Sequence, residues 1–208
     1  KHFHNVLCLS EAKGMDINMT SFLSEKEIGE IGFKSCGKDA KISRHACFYG
    51  ASEMVLGDHV RIDDFCILSG QIELGDFVHI AAYSAIFGSD AGVYVGDFCG
   101  VSSRVTIYAV NDDYSGGFMT NPTVPERYRC VKRERVCIGK HVIIGATSVI
   151  LPGVNIAEGS SFGSFSLINK DSEEWSVNAG IPFKKIKDRK RDLLKMEERL
   201  RSMEEDVR

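Results

Sequence analysis

The 208-residue chain is poor in proline, with four, and carries a single tryptophan. None of its seven cysteines forms a Cys-x-x-Cys pair. No apolar run approaches the roughly 20 residues that a membrane-spanning helix needs, and 26 basic against 29 acidic residues leave a formal charge of only −3. These absences exclude a membrane protein, a disordered tail protein and a coiled coil throughout, and they leave a zinc site or redox pair without support. The cysteines Cys8, Cys36, Cys47, Cys66, Cys99, Cys130 and Cys137 read as small buried hydrophobes in a reducing compartment. The apolar stretch Val6–Leu9 is too short for a secretory signal, so a cytoplasmic location is expected. Residues 1–19 read as a leader or tag, with Met15 and Met19 as candidate natural starts.

What the chain has in quantity is glycine, 20 residues, against an ordinary share of about 7%. Abundant glycine with scarce proline points to many tight turns between short strands. A six-residue period supports this. From Leu56 the register reads LGDHVR, IDDFCI, LSGQIE, LGDFVH and IAAYSA; it resumes at Val95 as VGDFCG and VSSRVT, and returns at Ile138 as IGKHVI, IGATSV, ILPGVN, IAEGSS and FGSFSL. The fifth position is also small or aliphatic, as at Val60, Cys66, Val78, Cys99, Val142 and Val154. Three hexads make an eighteen-residue triangular coil. First-strand positions fall at Cys36, Leu56, Leu74, Val95, Ile138 and Ile156, steps of 20, 18, 21, 43 and 18. The excess over eighteen is then 2, 0, 3, 25 and 0 residues. The expected fold is all-β, a parallel β-helix of about six coils and roughly 29 Å in height, with aliphatic columns inside and turns outside.

The flanks read differently. Ser24-Glu25-Lys26-Glu27 is a capping box, followed by Ile28, Ile31 and Gly32, and predicts a short helix near 22–31 in a capping segment 20–35. The repeat domain spans 36–183 and carries a long loop at 110–136, the kind of excursion that usually has a functional role. Residues 184–208 read as one amphipathic helix, with Ile186, Leu193 and Leu200 spaced by seven, as are Met196 and Met203. It serves either a subunit contact or its own prism, and its charges read as a solvated face rather than a nucleic-acid patch. Val93, Tyr94, Phe98 and Phe118 read as apolar outer positions suited to a subunit contact.

The hexads from Cys36 to Ile186 resemble those of the hexapeptide-repeat acyltransferases, and look most like the galactoside and maltose-type sugar O-acetyltransferases. The resemblance implies a left-handed β-helix, a homotrimer, and acetyl-CoA as acyl donor in a cleft between prisms. It also implies a histidine that takes a proton from the attacking acceptor, because a hydroxyl is a poor nucleophile until a base removes its proton. His45, His59 and His141 occupy the fourth hexad position, an outward turn site, and read as solvated. His79 sits at the sixth position of a strand side, in a column with Lys41, Arg61, Gly100, Ile143 and Ser161, and is the histidine expected to act. The frame Leu74 to His79 is similar to the L-G-x-x-x-H of acetyltransferases acting on nucleotide-linked amino sugars, although Gly70 stands where their first histidine falls.

In the galactoside and maltose enzymes, a stretch like Val105-Thr106-Ile107-Tyr108 leads to the catalytic histidine. Here Asp112 takes that place. It reads either as a base, with its pKa raised by Asp113, or as the orienter of an imidazole from a neighbouring subunit. Acceptor contacts are expected from Asp63, Asp64, Arg104, Asn111, Asp113 and Tyr114, with Asp63 and Asp64 equally readable as turn residues. Ala179 to Ile186 resembles the family's closing A-G-x-P element. That likeness places the cofactor on Gly145, Ala146, Ser164, Asn169, Lys184 and Lys187. No metal is expected: a carbonic-anhydrase-like site needs three histidines meeting, and His79 has no suitably spaced partner. The leading expectation is O-acetylation of a sugar for a surface polysaccharide, O-antigen or capsule. N-acetylation of a nucleotide-linked amino sugar is second, and a non-catalytic trimeric scaffold is third.

Overall fold

The structure, a computed structural model, describes residues 20–205, the last two by backbone only. The leader at 1–19, with His2, His4 and Cys8, lies outside the described residues. Each hexad folds as a short strand whose aliphatic residue points inward, followed by a turn. Arg61–Ile62 is such a strand, with Arg61 exposed and Ile62 fully buried. Phe65 then turns the corner at φ 61° and Cys66 returns to the interior.

Repeated, this gives a parallel β-helix with three sides. The expected register holds at every step: Cys36 pairs with Leu56, Leu56 with Leu74, Leu74 with Val95, Val95 with Ile138 and Ile138 with Ile156. The second side is an eight-stranded sheet beginning at Lys41–Ile42 and passing through Arg61–Ile62, His79–Ile80 and Gly100–Val101. Ser176–Gly180 adds a further partial coil on this side, so the helix extends beyond the six expected. The core is one column-built cluster that includes Ile42, Ile62, Ile80, Val101, Ile107, Ile144 and Phe162.

The insertions fall where the arithmetic places them. The two extra residues fall at the turn Ala51–Glu53. The three extra residues produce the register irregularity between Ile67–Leu74 and Ala85–Val95. There Gly70 adopts φ 81°, and a Cβ would lie only 2.6 Å from the Ser89 backbone nitrogen. The 25-residue insertion leaves the third side after Ala109 and returns as an antiparallel ribbon, Val110 opposite Arg133 and Asn111 opposite Lys132.

Both ends are capped. Helix α1 spans Glu25–Ile31, with the Ser24–Glu27 capping box formed and Gly32 at φ 79° as its stop. The carboxy-terminal expectation is corrected. Residues 184–208 are not one helix: Phe183–Asp188 is a strand antiparallel to Ser176–Gly180, and helix α2 spans only Leu193–Glu205. The last coil offers unpaired backbone groups at its edge, and a returning strand satisfies them. Ile186 therefore sits on a strand and is exposed, off the helical stripe.

α2 lies against the second side, with Leu193, Met196 and Leu200 facing Phe98, Gly100 and Ile143. Arg189 leads into it, donating to the carbonyls of His141 at 2.7 Å and Gly159 at 3.0 Å. His141 is consequently not solvated. It is 7% exposed, its Nε2 lies 2.7 Å from Glu197 Oε2, and its ring stacks on Phe98. Val93 is also interior, and Phe98 lies under the Arg201 guanidinium, so neither belongs to an open apolar side. Among the cysteines, Cys66 and Cys99 are buried as expected, whereas Cys47 and Cys130 are exposed. Among the described residues no helix is long and apolar enough to cross a membrane.

Ile107 is fully buried in the coil that carries the insertion. Ile107→Ala should lower unfolding free energy by about 2–5 kcal/mol in denaturant titration. A loss below about 1 kcal/mol would show that the column collapses to fill the gap.

Candidate active site

Four features stand on the outer surface: a histidine–carboxylate pair on the second side, a corner of small residues, a cleft beneath the insertion, and the terminal hairpin.

His79 is placed as expected, between Arg61 and Gly100 in the outward column of the second side. Its Nε2 lies 2.8 Å from Asp63 Oδ2, and Arg61 Nε donates to Asp63 Oδ1 at 2.7 Å. Both oxygens of Asp63 are thus engaged, and its partner is His79 rather than open solvent. Burial pushes the Asp63 carboxyl up, but the hydrogen bonds from Arg61 and His79 outweigh it and hold the group below its ordinary value. The carboxylate that orients this imidazole within the chain is Asp63. Asp64 accepts from the Ser43 hydroxyl, which holds its carboxyl below the ordinary value and ties two coils together.

The corner between the second and third sides stacks Asp63, Ala81, Ser102, Gly145 and Gly163 one above another, each backbone N–H bonded to the coil above. Asp63 is its one charged member, and the coils above it carry only small residues there. A Cβ on Gly145 would lie 2.6 Å from the Gly163 carbonyl carbon, so coil stacking alone requires glycine there. Ala146 and Ser164 follow in the next outward column. Arg104 turns this corner at φ 60°, its guanidinium 5.9 Å from the Tyr83 ring centre. Asn169 lies one coil above Leu151 on the third side. Lys184 and Lys187 are exposed on the terminal strand, opposite Ala179 and Val177.

The cleft lies on the third side, with a volume of about 670 Å³. Phe87, Tyr108, Val149 and Leu151 form its floor, and Val110, Asn111, Asp112 and Tyr114 overhang it from the insertion. Phe87 and Tyr108 stack at 5.3 Å. The ribbon that carries the overhang is pinned by Arg133 Nε on Asp90 at 3.1 Å. Asp113 folds the loop: it accepts from the Ser115 hydroxyl and amide and from the Phe118 amide, all at 3.0 Å. The Ser115 bonds hold its carboxyl below the ordinary value. Asp112 differs: among the described residues it receives one long 3.4 Å contact, from the Asn121 amide.

The structure therefore brings Asn111, Asp112 and Tyr114 together and gives Asp113 a structural duty. It leaves His79 on another side of the prism. Sequence reasoning missed the floor of the cleft. The signal was available, because Phe87 and Tyr108 hold equivalent positions two residues after Ala85 and Thr106 in the hexad frame.

Comparison with known proteins decides the family. A dTDP-4-amino-4,6-dideoxy-D-glucose acyltransferase of Escherichia coli is 46% identical over 180 residues, covering 85% of this chain and 93% of that protein. The chain belongs to the hexapeptide-repeat, left-handed β-helix acyltransferases. The solved AntD, an N-acyltransferase from Bacillus cereus in complex with dTDP and 3-hydroxybutyryl-CoA, is 45% identical with a TM-score of 0.87, over 89% of this chain and 100% of AntD. A chloramphenicol acetyltransferase of Klebsiella aerogenes is 29% identical over 70% of this chain and 78% of that enzyme. No protein-family model matches the chain. This acyltransferase is an enzyme with a coenzyme A thioester as donor, as the resemblance implies.

Asp63 supplies stability above its ordinary value of 3.8 that is lost as pH falls through its depressed folded value. Asp63→Asn should be less stable than wild type at pH 7, with the gap closing below about pH 4 in thermal melts. A gap unchanged down to pH 2 would show that the Arg61 and His79 bonds contribute nothing through charge.

Proposed function

We propose that this enzyme N-acylates the amine of a nucleotide-linked amino sugar. This reverses the order expected from sequence, where a sugar hydroxyl came first and the amine second. The observation that carries the reading is the cleft with one carboxylate, Asp112, and no lysine or arginine in its lining. A sugar ammonium is attracted to such a carboxylate. The chemistry also discriminates. An ammonium near neutral pKa gives up a proton to a neighbouring carboxylate at modest cost. A sugar hydroxyl, a far weaker acid, would lose its proton to a carboxylate only at a much larger cost. The apolar floor suits a deoxy sugar, which lacks a hydroxyl that would otherwise go unpaired there.

The relatives support this reading. The Escherichia coli protein is named for dTDP-4-amino-4,6-dideoxy-D-glucose, and AntD has been solved with that sugar nucleotide and coenzyme A. AntD structures include replacements of a serine and of an aspartate ten positions further on. Ser102 and Asp112 stand at that spacing here.

In the proposed reaction Asp112 holds the ammonium and takes its proton. The amine lone pair attacks the thioester carbonyl, the C–S bond breaks, and the coenzyme A thiolate leaves with the second proton of the attacking nitrogen, which gives the neutral amide and the free thiol. Backbone N–H groups of the corner turns are suited to the transient oxyanion. The cofactor arm descends the small-residue corner from Lys184 and Lys187 past Ser164 and Ala146, with Asn169 guiding it toward Leu151.

A second reading keeps His79 in play. Asp63 at 2.8 Å makes it an oriented imidazole, the arrangement that a hydroxyl acceptor requires. Because His79 and the cleft lie on different sides, this reading needs a second copy, with His79 of one subunit facing the 110–117 loop of the next. A homotrimer is proposed in both readings.

Asp112→Asn should lower kcat/KM for the amino-sugar nucleotide by roughly 10²–10⁴ with acyl-CoA binding retained, and His79→Ala should be mild. The opposite pattern, with transfer to a sugar hydroxyl, would establish the second reading. Light scattering should give three times the chain mass. A stable monomer with full activity would refute the shared site.

A further inference from the structure

The insertion carries a second stretch, 119–124, that folds back onto the carboxylate used in the proposed reaction. Asp113 is committed to the Ser115 hydroxyl and amide and to the Phe118 amide, so it cannot orient its neighbour. The contact on Asp112 comes instead from nine residues further along the loop, where the Asn121 backbone N–H donates to Oδ2 at 3.4 Å.

Asn121 is shaped to make that donation. It sits in the left-handed region at φ 72°, which asparagine tolerates far better than alanine or a branched residue. Its side-chain oxygen accepts from the Thr123 amide at 3.0 Å and from the Thr123 hydroxyl at 2.5 Å. Its carbonyl accepts from the Val124 amide at 3.3 Å. Both oxygens are thus spent on the turn that follows, and Pro122 stiffens it. The backbone N–H is left aimed at Asp112. Met119 N donates to the Tyr128 carbonyl at 3.0 Å, which ties this arm to the returning limb. Backbone held in a sparsely populated region persists only where its surroundings over-determine it, and such positions cluster at functional sites.

Asp112 is half-buried, and its carboxylate turns about two side-chain torsions. A group that holds an ammonium and takes its proton must present one oxygen to the nitrogen. An N–H on Oδ2 fixes the group and leaves Oδ1 for the amine. Catalytic hydrogen bonds are commonly long in the free enzyme and tighten as substrate binds.

We propose, resting on the amine reading, that Asn121 is a positioning residue: its backbone N–H, aimed by the left-handed turn, holds Asp112 so that Oδ1 meets the acceptor amine. Its side chain acts by keeping the turn, not by touching substrate.

The test measures kcat and KM on the amino-sugar nucleotide in wild type, Asn121→Ala, Asn121→Gly, Asp112→Asn and the double variant Asp112→Asn with Asn121→Ala. Alanine disfavours the left-handed turn and swings the N–H away, whereas glycine keeps both. Asn121→Ala should lower kcat by roughly tenfold with KM for acyl-CoA unchanged, since misplacing a reacting group by about 1 Å costs up to about 10²-fold. Asn121→Gly should recover most of that loss, although it too lacks the side chain. In the Asp112→Asn background, Asn121→Ala should change kcat by less than about twofold, because the two residues act as one unit. Thermal melts check folding, and Thr123→Val, which removes one bond holding the turn, gives a milder loss in the same direction. Equal losses in the alanine and glycine variants overturn the proposal alone, as does a loss that multiplies with that of Asp112→Asn. So does an unchanged kcat in Asn121→Ala when Asp112→Asn is impaired. A wild-type kcat in Asp112→Asn removes the amine reading itself, and the proposal with it.

Discussion

The structure rests on one constraint: each coil must superpose on the next. Only then does every strand N–H meet a carbonyl one coil away and every inward aliphatic meet its equivalent. The ladder is continuous from Lys41 N on Val60 O through His79 N on Cys99 O to Ile143 N on Ser160 O. Superposition is set at the corners. His59, Phe77, Phe98 and His141 turn one corner in the left-handed region, as do Phe65, Tyr83 and Arg104 at another. Such backbone costs roughly 1–2 kcal/mol at a residue with a Cβ. Because the strained residues are in register, their side chains stack: His59 on Phe77 at 4.5 Å, Phe77 on Phe98 at 4.9 Å, and Phe98 on His141 at 5.3 Å. The ring contacts offset part of the local strain and align the coils further.

A prism filled with aliphatics has no interior left for chemistry. Function has to be built on the outside, where an excursion does not disturb the ladder. The insertion after Ala109 is such an excursion, and its entropic cost is modest, since loop closure grows slowly with length. Its ribbon closes the loop close to where it opened, and the coils on either side still pair, Val95 with Ile138 and Ile107 with Ile150. Within it the two neighbouring aspartates divide their duties. Asp113 spends its oxygens on turn donors, which leaves Asp112 to face the cleft.

The ends follow from the same constraint. A solenoid exposes its terminal strands, and the two caps solve this differently. α1 lays Ile28 on the first coils. At the other end a reversing hairpin pairs the last strand before α2 folds back. The Glu197 carboxylate then receives bonds from His141 and Arg201, which outweigh the upward push of burial and hold it below its ordinary value.

The hexad period determined the coils, their register and the sizes of the insertions, because a stacked column tolerates only aliphatics at fixed spacing and that demand is written directly in residues such as Leu56, Leu74 and Val95. The same frame marked His79 as outward and the 110–136 excursion as the place to look. It was silent wherever contact depended on residues far apart in the chain. The pairing of Asp63 with His79 joins neighbouring coils, and the burial of His141 depends on a helix some fifty residues later. The seven-residue spacing after Pro182 resembled a helix, but the free edge of the final coil drew 183–188 into a strand, because unpaired backbone is costlier than a lost helical turn. The cleft floor belongs to this second class. Phe87, Tyr108 and Leu151 become a surface only when three coils stack, and it becomes a cleft only when the insertion folds over it.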